Sequence, residues 1–488
     1  MDSLTITKYN DVHLKVNCSQ DIAYELGEYF TFTVPEAKFS PAFKNKLWDG
    51  KIRLFHLMRH TLYGGLAHHV QQFAEDRNYS LQYESPNDFA EHPFNQADAM
   101  QFVSSLNLPL TPRDYQLDAF IHCVRNRRAV LLSPTASGKS LIIYMLAQYW
   151  KSSKVLIVVP TIGLVHQLAS NFIDEYGCDS KLVHKIFSGQ EKVTDAQFVI
   201  TTWQSIYQLS PKWFQQFGAV IGDEAHQFKA KSLVGIMENL IVCPYRIGLT
   251  GTLDGSNTNK LVLEGLFGPV HKVTTTQELM QDKTLAQLKI KSIVLSYEDT
   301  FRQQCARQKP DYKTELRIIT QHKARTNFIA NLTLSLENNT LLLFNFIDHG
   351  KMLRDVIQGK DPTRKVFFVF GGVEGEERES IRHYVEDNQN VIVIASYKTF
   401  STGVNIKNLH NIVFGSPSKS RIRVFQSIGR GLRTNEEKSS AVLYDIADDF
   451  SWKSYKNTTL QHFSERMKMY NEEKFEYKIY NVQLKGTA

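Results

Sequence analysis

The chain has 488 residues, 42% hydrophobic and 22% charged, with 26 Gly, 14 Pro and no low-complexity tract. This composition excludes a disordered or fibrous protein, and at about 150 residues per domain it predicts roughly three domains with their own cores. The net charge of +7, from 57 Lys and Arg against 50 Asp and Glu, is too small as a total to name a polyanionic partner, so its placement carries the information.

Five cysteines (Cys18, Cys123, Cys178, Cys243, Cys305) stand apart with no C-x-x-C pair, which fits neither a disulfide framework nor a zinc knuckle and predicts a reducing, cytoplasmic setting. The start, Met1-Asp2-Ser3-Leu4-Thr5, has no basic and apolar leader, and the longest apolar runs are strand-sized, so neither export nor a membrane anchor is expected.

Residues 1–95 alternate in short strands around a Trp48-Asp49-Gly50 turn and Gly64-Gly65, which predicts a small α+β module. Its positive charge is concentrated in Lys38, Lys44, Lys46, Lys51, Arg53 and Arg59, opposed only by Asp49 and interleaved with Phe39, Phe43, Trp48 and Phe55. Such a mixture suits phosphate contacts by the cations; the aromatics suit either base stacking or the module's own core. Glu84-Ser85-Pro86-Asn87-Asp88 and His92-Pro93 read as a linker.

From residue 110 short apolar runs alternate with helical patterns: 129–132, 155–159, 198–201, 219–222 and 246–249. Runs apolar throughout are what strands buried on both faces require, so a doubly wound parallel α/β domain is predicted over 96–288. The stretch Glu278 to Lys291 reads as a helix plus connector. The rhythm returns at 341–344, 365–370, 391–394, 411–414 and 441–444, giving a second α/β domain over 289–455, and 456–488 reads as a C-terminal helix.

The first chemical signal is Ser133-Pro134-Thr135-Ala136-Ser137-Gly138-Lys139-Ser140, placed between a strand and a helix. A turn there aims backbone N–H groups and the positive helix end at phosphates, with Lys139 on the outer phosphates and the Ser140 hydroxyl on Mg²⁺. The strict phosphate-loop pattern has Gly where Ser133 stands, so taken alone the segment also reads as a capped turn. A second signal, Asp223-Glu224-Ala225-His226, follows the apolar run 219–222. Asp223 is placed to hold Mg²⁺ and Glu224 to orient the attacking water.

These segments resemble motifs of the superfamily 2 helicases, and others fall in the same order. Arg113, Tyr115 and Gln116 resemble the adenine-reading Q motif, which favours ATP. Pro160-Thr161 and Thr202-Trp203 resemble strand-phosphate motifs, and Leu249-Thr250-Gly251-Thr252 stands at the coupling motif. Thr402-Gly403 resembles motif V, and Gln426 to Arg433 resembles motif VI, in which Arg430 and Arg433 would neutralise the transferred phosphoryl group. The motif I loop departs from the common Ala-Pro-Thr-Gly-Ser-Gly-Lys-Thr form, notably with Ala136 in place of Gly, a residue that tolerates positive φ less readily. The resemblance covers about 110–450 and implies two RecA-like domains.

Non-generic stretches, Trp48-Asp49-Gly50-Lys51-Ile52-Arg53-Leu54, Pro211 to Gly218 and Lys407-Asn408-Leu409-His410, more closely resemble the UvsW family of recombination and repair helicases of T-even bacteriophages. That resemblance implies unwinding or branch migration of forks, Holliday junctions and DNA:RNA hybrids in the host cytoplasm, with single-strand-binding or recombination proteins as partners. The N-terminal module then becomes DNA-binding, with Lys44, Lys46, Trp48, Lys51 and Arg53 as contacts. Two other readings stay open: a duplex-translocating ATPase subunit of a restriction or remodelling complex, and a nucleotide-switched clamp or annealing protein. His68-His69 lacks metal-ligand spacing, and Asp445, Asp448 and Asp449 read as an acidic turn.

Overall fold

The computed structural model describes residues 2–34, 37–253, 255–403, 406, 408–418, 420–432 and 438–484, apart from the side chains of 257, 375, 401–403 and 430. The chain divides into two compact units, 1–133 with 138–274 and 275–488 with 134–137.

The first unit begins with strands β1 (Ser3–Lys8), β2 (His13–Asn17), β3 (Thr31–Thr33), β4 (Lys51–Arg53), β5 (Thr61–Tyr63) and β6 (Ser80–Tyr83). The order β5-β2-β1-β6 makes a four-stranded sheet, while β3 and β4 pair separately as an antiparallel ribbon. Alternating burial along β1 and β2 marks a sheet with one face on a core. The basic, aromatic segment predicted for DNA begins in the excursion between β3 and β4 and continues through β4, which carries Lys51 and Arg53, to Phe55 and Arg59 beyond it.

Next come β7 (Arg128–Leu132), β8 (Lys154–Val159), β9 (Val183–Ile186), β10 (Phe198–Thr202), β11 (Phe217–Asp223), β12 (Tyr245–Thr250) and β13 (Val270–Lys272). They form one parallel seven-stranded sheet in the order β13-β7-β12-β11-β8-β10-β9. The five predicted strands of this region are all present, and β10 is buried at every position, as its unbroken apolar run requires.

The N-terminal sheet shares a continuous apolar core with one face of this larger sheet, reaching from Leu4 and Phe73 to Leu266 and Phe267. Polar bonds close the seam: Asp11 N–H donates to Ile241 O, Arg128 Nη1 to Asp11 O, and Tyr63 OH to Glu238 Oε1. Gly65 is demanded there, since a Cβ would lie 1.9 Å from the Glu264 carbonyl oxygen. His68, His69 and Glu264 meet at this seam with ligand-type atoms within 4.8 Å of one another. The Glu264 carboxylate is already engaged by His69 Nε2 at 2.9 Å, Val270 N–H at 3.3 Å and Lys260 Nζ at 3.7 Å, which makes it a docking contact.

The second unit holds β14 (Gln287–Ser296), β15 (Thr340–Phe344), β16 (Val366–Val369), β17 (Ile392–Ser396), β18 (Asn411–Phe414), β19 (Ser440–Asp449) and β20 (Tyr477–Gln483), parallel throughout in the order β16-β17-β15-β18-β19-β14-β20. Three expectations need correction. The stretch read as helix plus connector is the helix Thr276–Gln281 followed by strand β14, so a domain boundary at 288/289 falls inside a strand. The tail contains the predicted helix, Thr458–Glu472, and also β20, which pairs with β14.

Asp445, Asp448 and Asp449 are not a turn; they lie on β19. Buried Asp445 accepts from Arg466 and Tyr470, and buried Asp448 from Arg325 and Tyr297. Charges at these depths are tolerated because each carboxylate meets a guanidinium and a phenol.

Candidate nucleotide-binding site

The loop Ser133–Gly138 leaves the C-terminal end of β7 and feeds the helix Lys139–Tyr149, whose run of buried side chains anchors it under the sheet. Ser133 N–H donates to Thr250 O at 2.8 Å, tying the loop to the end of β12. The Ser137 hydroxyl donates to Pro134 O at 2.7 Å, closing the turn on itself. Ala136 adopts φ +67° and Gly138 φ +78°. The position where the common motif carries Gly therefore does require the left-handed region, and here an alanine occupies it.

Gln116 stands beside this loop on the helix Asp114–Asn126. Its Oε1 accepts from Arg113 N–H at 2.9 Å, and its Nε2 donates to Gly138 O at 3.4 Å. A Cβ at Gly138 would meet that Nε2 at 2.2 Å, so the glycine is set by close approach as well as by φ. Arg113 Nη1 donates to Tyr115 OH at 2.9 Å, which brings the three predicted adenine-side residues to one helix start.

Lys139 Nζ donates to Ser133 O at 3.3 Å, folding back over the loop that its ammonium would share with phosphates. The Ser140 hydroxyl lies 3.0 Å from Tyr176 OH, a partner the sequence did not reveal because Tyr176 follows a helix on a separate crossover. Asp223 ends β11, and its Oδ1 accepts from Glu224 N–H at 2.9 Å. Burial and the adjacent Glu224 carboxylate push Asp223 above the usual carboxylate range, against the opposing pull of Lys139. A site holding two carboxylates so close, one raised by the other, together with a serine hydroxyl, has the hard oxygen donors that suit Mg²⁺.

Glu224 itself sits at φ +51°, a left-handed position that turns the chain sharply after the strand. Its Oε2 lies 3.3 Å from His226 Nδ1, and that nitrogen lies 3.0 Å from Thr250 Oγ1. The predicted acidic and coupling segments are thus joined by side chains.

At the C-terminal edge of the same sheet, adjacent β8 and β10 end side by side, with Val159 opposite Thr202. Pro160, Thr161 and Thr202 line one cavity of about 620 Å³ with Phe187, Ser188, Gly189, Lys192 and Gln204. Thr161 caps the helix Ile162–Ser170, and Thr202 Oγ1 meets Ser205 Oγ at 2.9 Å. Trp203 turns away from this group, packing on Tyr207 and the core. The residues 187–192 escaped sequence reasoning because β9, which precedes them, carries His184 and Lys185 and lacks the apolar run of a buried strand.

In the N-terminal excursion, Lys44, Lys46 and Lys51 are exposed. Arg53 is ion-paired with Asp49, and the Trp48 indole N–H donates to Lys51 O at 2.8 Å. Phe55 belongs to the core, whereas Phe39 is 64% and Phe43 38% exposed. Phe55 therefore takes the core role, while Phe39 and Phe43 are left at the surface.

In the second unit, Gln426 is half-buried on the helix Arg421–Gly431, which Ser420 caps by accepting from Arg423 N–H. Arg430 is on that helix, and Thr402 and Gly403 end the helix Tyr397–Gly403, with side chains outside the described set. Arg433 lies outside the described residues.

Two parallel seven-stranded sheets, with a phosphate-type loop after β7 and an acidic pair after β11, define a superfamily 2 helicase. Three family models match in chain order: DNA helicase UvsW, N-terminal, at 4–84; Type III restriction enzyme, res subunit, at 109–255; and Helicase conserved C-terminal domain at 324–435. The ATP-dependent DNA helicase uvsW of Enterobacteria phage T4 is 34% identical over 496 aligned positions, covering 97% of this chain and 98% of the relative. The DNA 3'-5' translocase XPB2 of Sulfurisphaera tokodaii is 24% identical, covering 70% of this chain and 84% of the relative. The crystal structure of T4 UvsW superposes with a TM-score of 0.53 at 32% identity, covering 99% of this chain and 100% of that one. The chain belongs to the UvsW family of ATP-dependent DNA helicases.

Proposed function

We propose that this helicase uses ATP with Mg²⁺ to unwind or migrate branched DNA, namely forks, Holliday junctions and R-loops, in recombination, repair and replication. Arg113, Tyr115 and Gln116 take the adenine, and the backbone from Pro134 to Gly138 cradles the phosphates with Lys139. Ser140 and Asp223 would hold Mg²⁺, which supplies charge neutralisation on the outer phosphates. Glu224 orients the attacking water, and His226 fixes the loop that carries it. Arg430 and Arg433, with Gln426 and Gly403 on the same unit, are assigned to the nucleotide; arginines in that role are worth about 10³ to 10⁵ in rate. Thr161, Thr202 and Thr402 grip the strand backbone.

The observation that supports the branched substrate is the β3–β4 excursion. Lys44 and Lys46 are exposed there, as are the rings of Phe39 and Phe43, and Lys38 Nζ lies 5.3 Å over the Phe39 ring, a mixture suited to phosphate and base contacts. No helix among the described residues is long and apolar enough to cross a membrane. The proposed setting is the host cytoplasm, with DNA, DNA:RNA hybrids and recombination proteins as partners.

The test is ATP turnover measured with fork, four-way junction, R-loop, duplex and single-strand DNA. Greater stimulation by branched substrates is expected, and equal stimulation by all of them overturns the branch preference. The match of 109–255 to a restriction-enzyme subunit favours one other reading, translocation on duplex without strand separation. ATP-driven movement with no strand displacement or junction migration would decide for it.

A further inference from the structure

The second unit contains a basic pocket that none of the helicase motifs uses. It measures about 900 Å³ and is lined by Arg307 and Lys309 on one side and by Lys453 and Lys456 on the other, with Trp452 and Tyr455 between them. Gln303, Ser454 and Gln461 complete its polar wall, and no carboxylate lines it.

The frame is built from fixed parts. Lys309 caps the helix Asp299–Gln308, donating its N–H to Cys305 O at 2.8 Å. Trp452 and Tyr455 exchange two backbone hydrogen bonds of 3.0 Å, making a tight hairpin with Lys453 and Ser454 at its tip. Arg302 lies 5.3 Å over the Trp452 ring while its Nε holds Ser451 O, so the indole is clamped from one face. The N-terminus of the next helix, Thr458–Glu472, is already satisfied by Glu315, which accepts from Thr458 N–H and Thr459 N–H. A second anion is therefore left to the four side chains. Arg307, Lys309, Lys453 and Lys456 are all exposed, and no carboxylate lines the pocket to compensate them, so a polyanion meets an uncompensated positive surface.

We propose that this pocket is a second DNA-backbone site, which takes phosphodiesters on Arg307, Lys309, Lys453 and Lys456 and lays a sugar or base against Trp452. The inference rests on the proposed branched-DNA function and deepens it: a helicase whose motifs hold one strand needs a further surface for another arm of the branch. The site is an open groove of about 900 Å³, more than a single phosphate fills.

The decisive measurement is full-length DNA affinity against salt for a fork with long arms, comparing the wild type with Arg307→Gln/Lys309→Gln/Lys453→Gln/Lys456→Gln. The wild-type slope should fall by about two to four units in the variant, with affinity about tenfold weaker or more, because each phosphate contact contributes about 0.9 to the slope. The charge-keeping variant Lys309→Arg/Lys453→Arg/Lys456→Arg should retain both. An unchanged slope overturns the proposal, and so does an equal loss in the charge-keeping variant.

Amine-reactive footprinting of the unsubstituted protein supplies the check that needs no variant. Lys309 and Lys453 should be protected by fork or duplex DNA. Protection by inorganic tripolyphosphate but not by DNA would assign a small-anion site and overturn the proposal. Wild type with no preference for forks would remove the branch reading alone, since slope and footprint can still be read on duplex.

Discussion

His226 Nδ1 stands 3.0 Å from Thr250 Oγ1, at a point where both side chains are buried. The Thr250 hydroxyl also lies 2.9 Å from Thr252 O, so it links His226 to the segment after β12. The same nitrogen faces Glu224 Oε2 at 3.3 Å. His226 thereby links Glu224, the carboxylate proposed to orient the water, to Thr250 at the end of β12.

Thr250→Val keeps the volume and removes the hydroxyl. DNA-stimulated ATP turnover should fall less than threefold or so, while strand separation per ATP falls on the order of tenfold, because the lost bond is worth about 1 kcal/mol or more when its partner stays buried. Parallel assays of phosphate release and strand displacement check this; equal loss in both would mean that the contact serves hydrolysis alone.

Ala136 at φ +67° predicts an asymmetric pair of variants. Ala136→Gly removes left-handed strain of about 1–2 kcal/mol at a smaller entropic cost, so denaturant unfolding should show equal or greater stability. Ala136→Val adds a β-branched side chain where φ is positive and should weaken ATP binding about tenfold or more. A glycine variant less stable than wild type would contradict the strain argument.

Much of this was legible in the sequence, because strands inside a parallel sheet need apolar side chains on both faces, as β10 and β15 have at every position, and all ten apolar runs coincide with strands, even the half-buried edge strand β16. The placement of the loop around Lys139 between a strand and a helix, and of Asp223 and Glu224 at a strand end, was legible for a related reason: each directly follows an apolar run. Strand β14 was hidden by Lys289 and Lys291, which alternate with Leu288 and Ile290 and suggest a solvated connector. β20 was hidden similarly, since Tyr477–Gln483 lies at a sheet edge with mostly exposed side chains. The ion pairs of Asp445 and Asp448 were illegible because their partners stand 21 and 123 residues away. Acidic residues near a strand end look alike whether water or a guanidinium faces them.

His122 and His271 stack with ring centroids 3.8 Å apart. Burial, followed by the neighbouring His271, lowers His122 from 6.5 to about 4, and burial lowers His271 too. Both folded-state values lie below the unfolded ones, so the unfolded chain binds more protons as pH falls through 6.5. Stability is complete above pH 6.5 and declines toward pH 4. His122→Phe keeps a ring in the stack and should flatten that decline, as read from urea midpoints across the interval. An unaltered pH profile would place the acid sensitivity elsewhere.

Arg325 and Asp448 are fully buried, with Nε to Oδ1 at 2.6 Å and Nη2 to Oδ2 at 3.1 Å. Tyr297 OH adds a bond of 2.8 Å to the same carboxylate, and Arg325 Nη1 donates to Gly415 O, so the pair ties β14, β18 and β19 together at their ends. Asp448→Leu leaves a guanidinium buried without its counter-charge, which should cost about 3–5 kcal/mol in the unfolding of the second unit. The surface pair of half-buried Arg382 and exposed Glu379 provides the contrast, since Glu379→Gln should cost no more than about 1 kcal/mol. The double variant Arg325→Met/Asp448→Leu removes both charges and should recover most of the loss. That recovery, followed by denaturant unfolding, separates a desolvated ion pair from simple loss of packing, because a packing defect would grow in the double variant instead of shrinking.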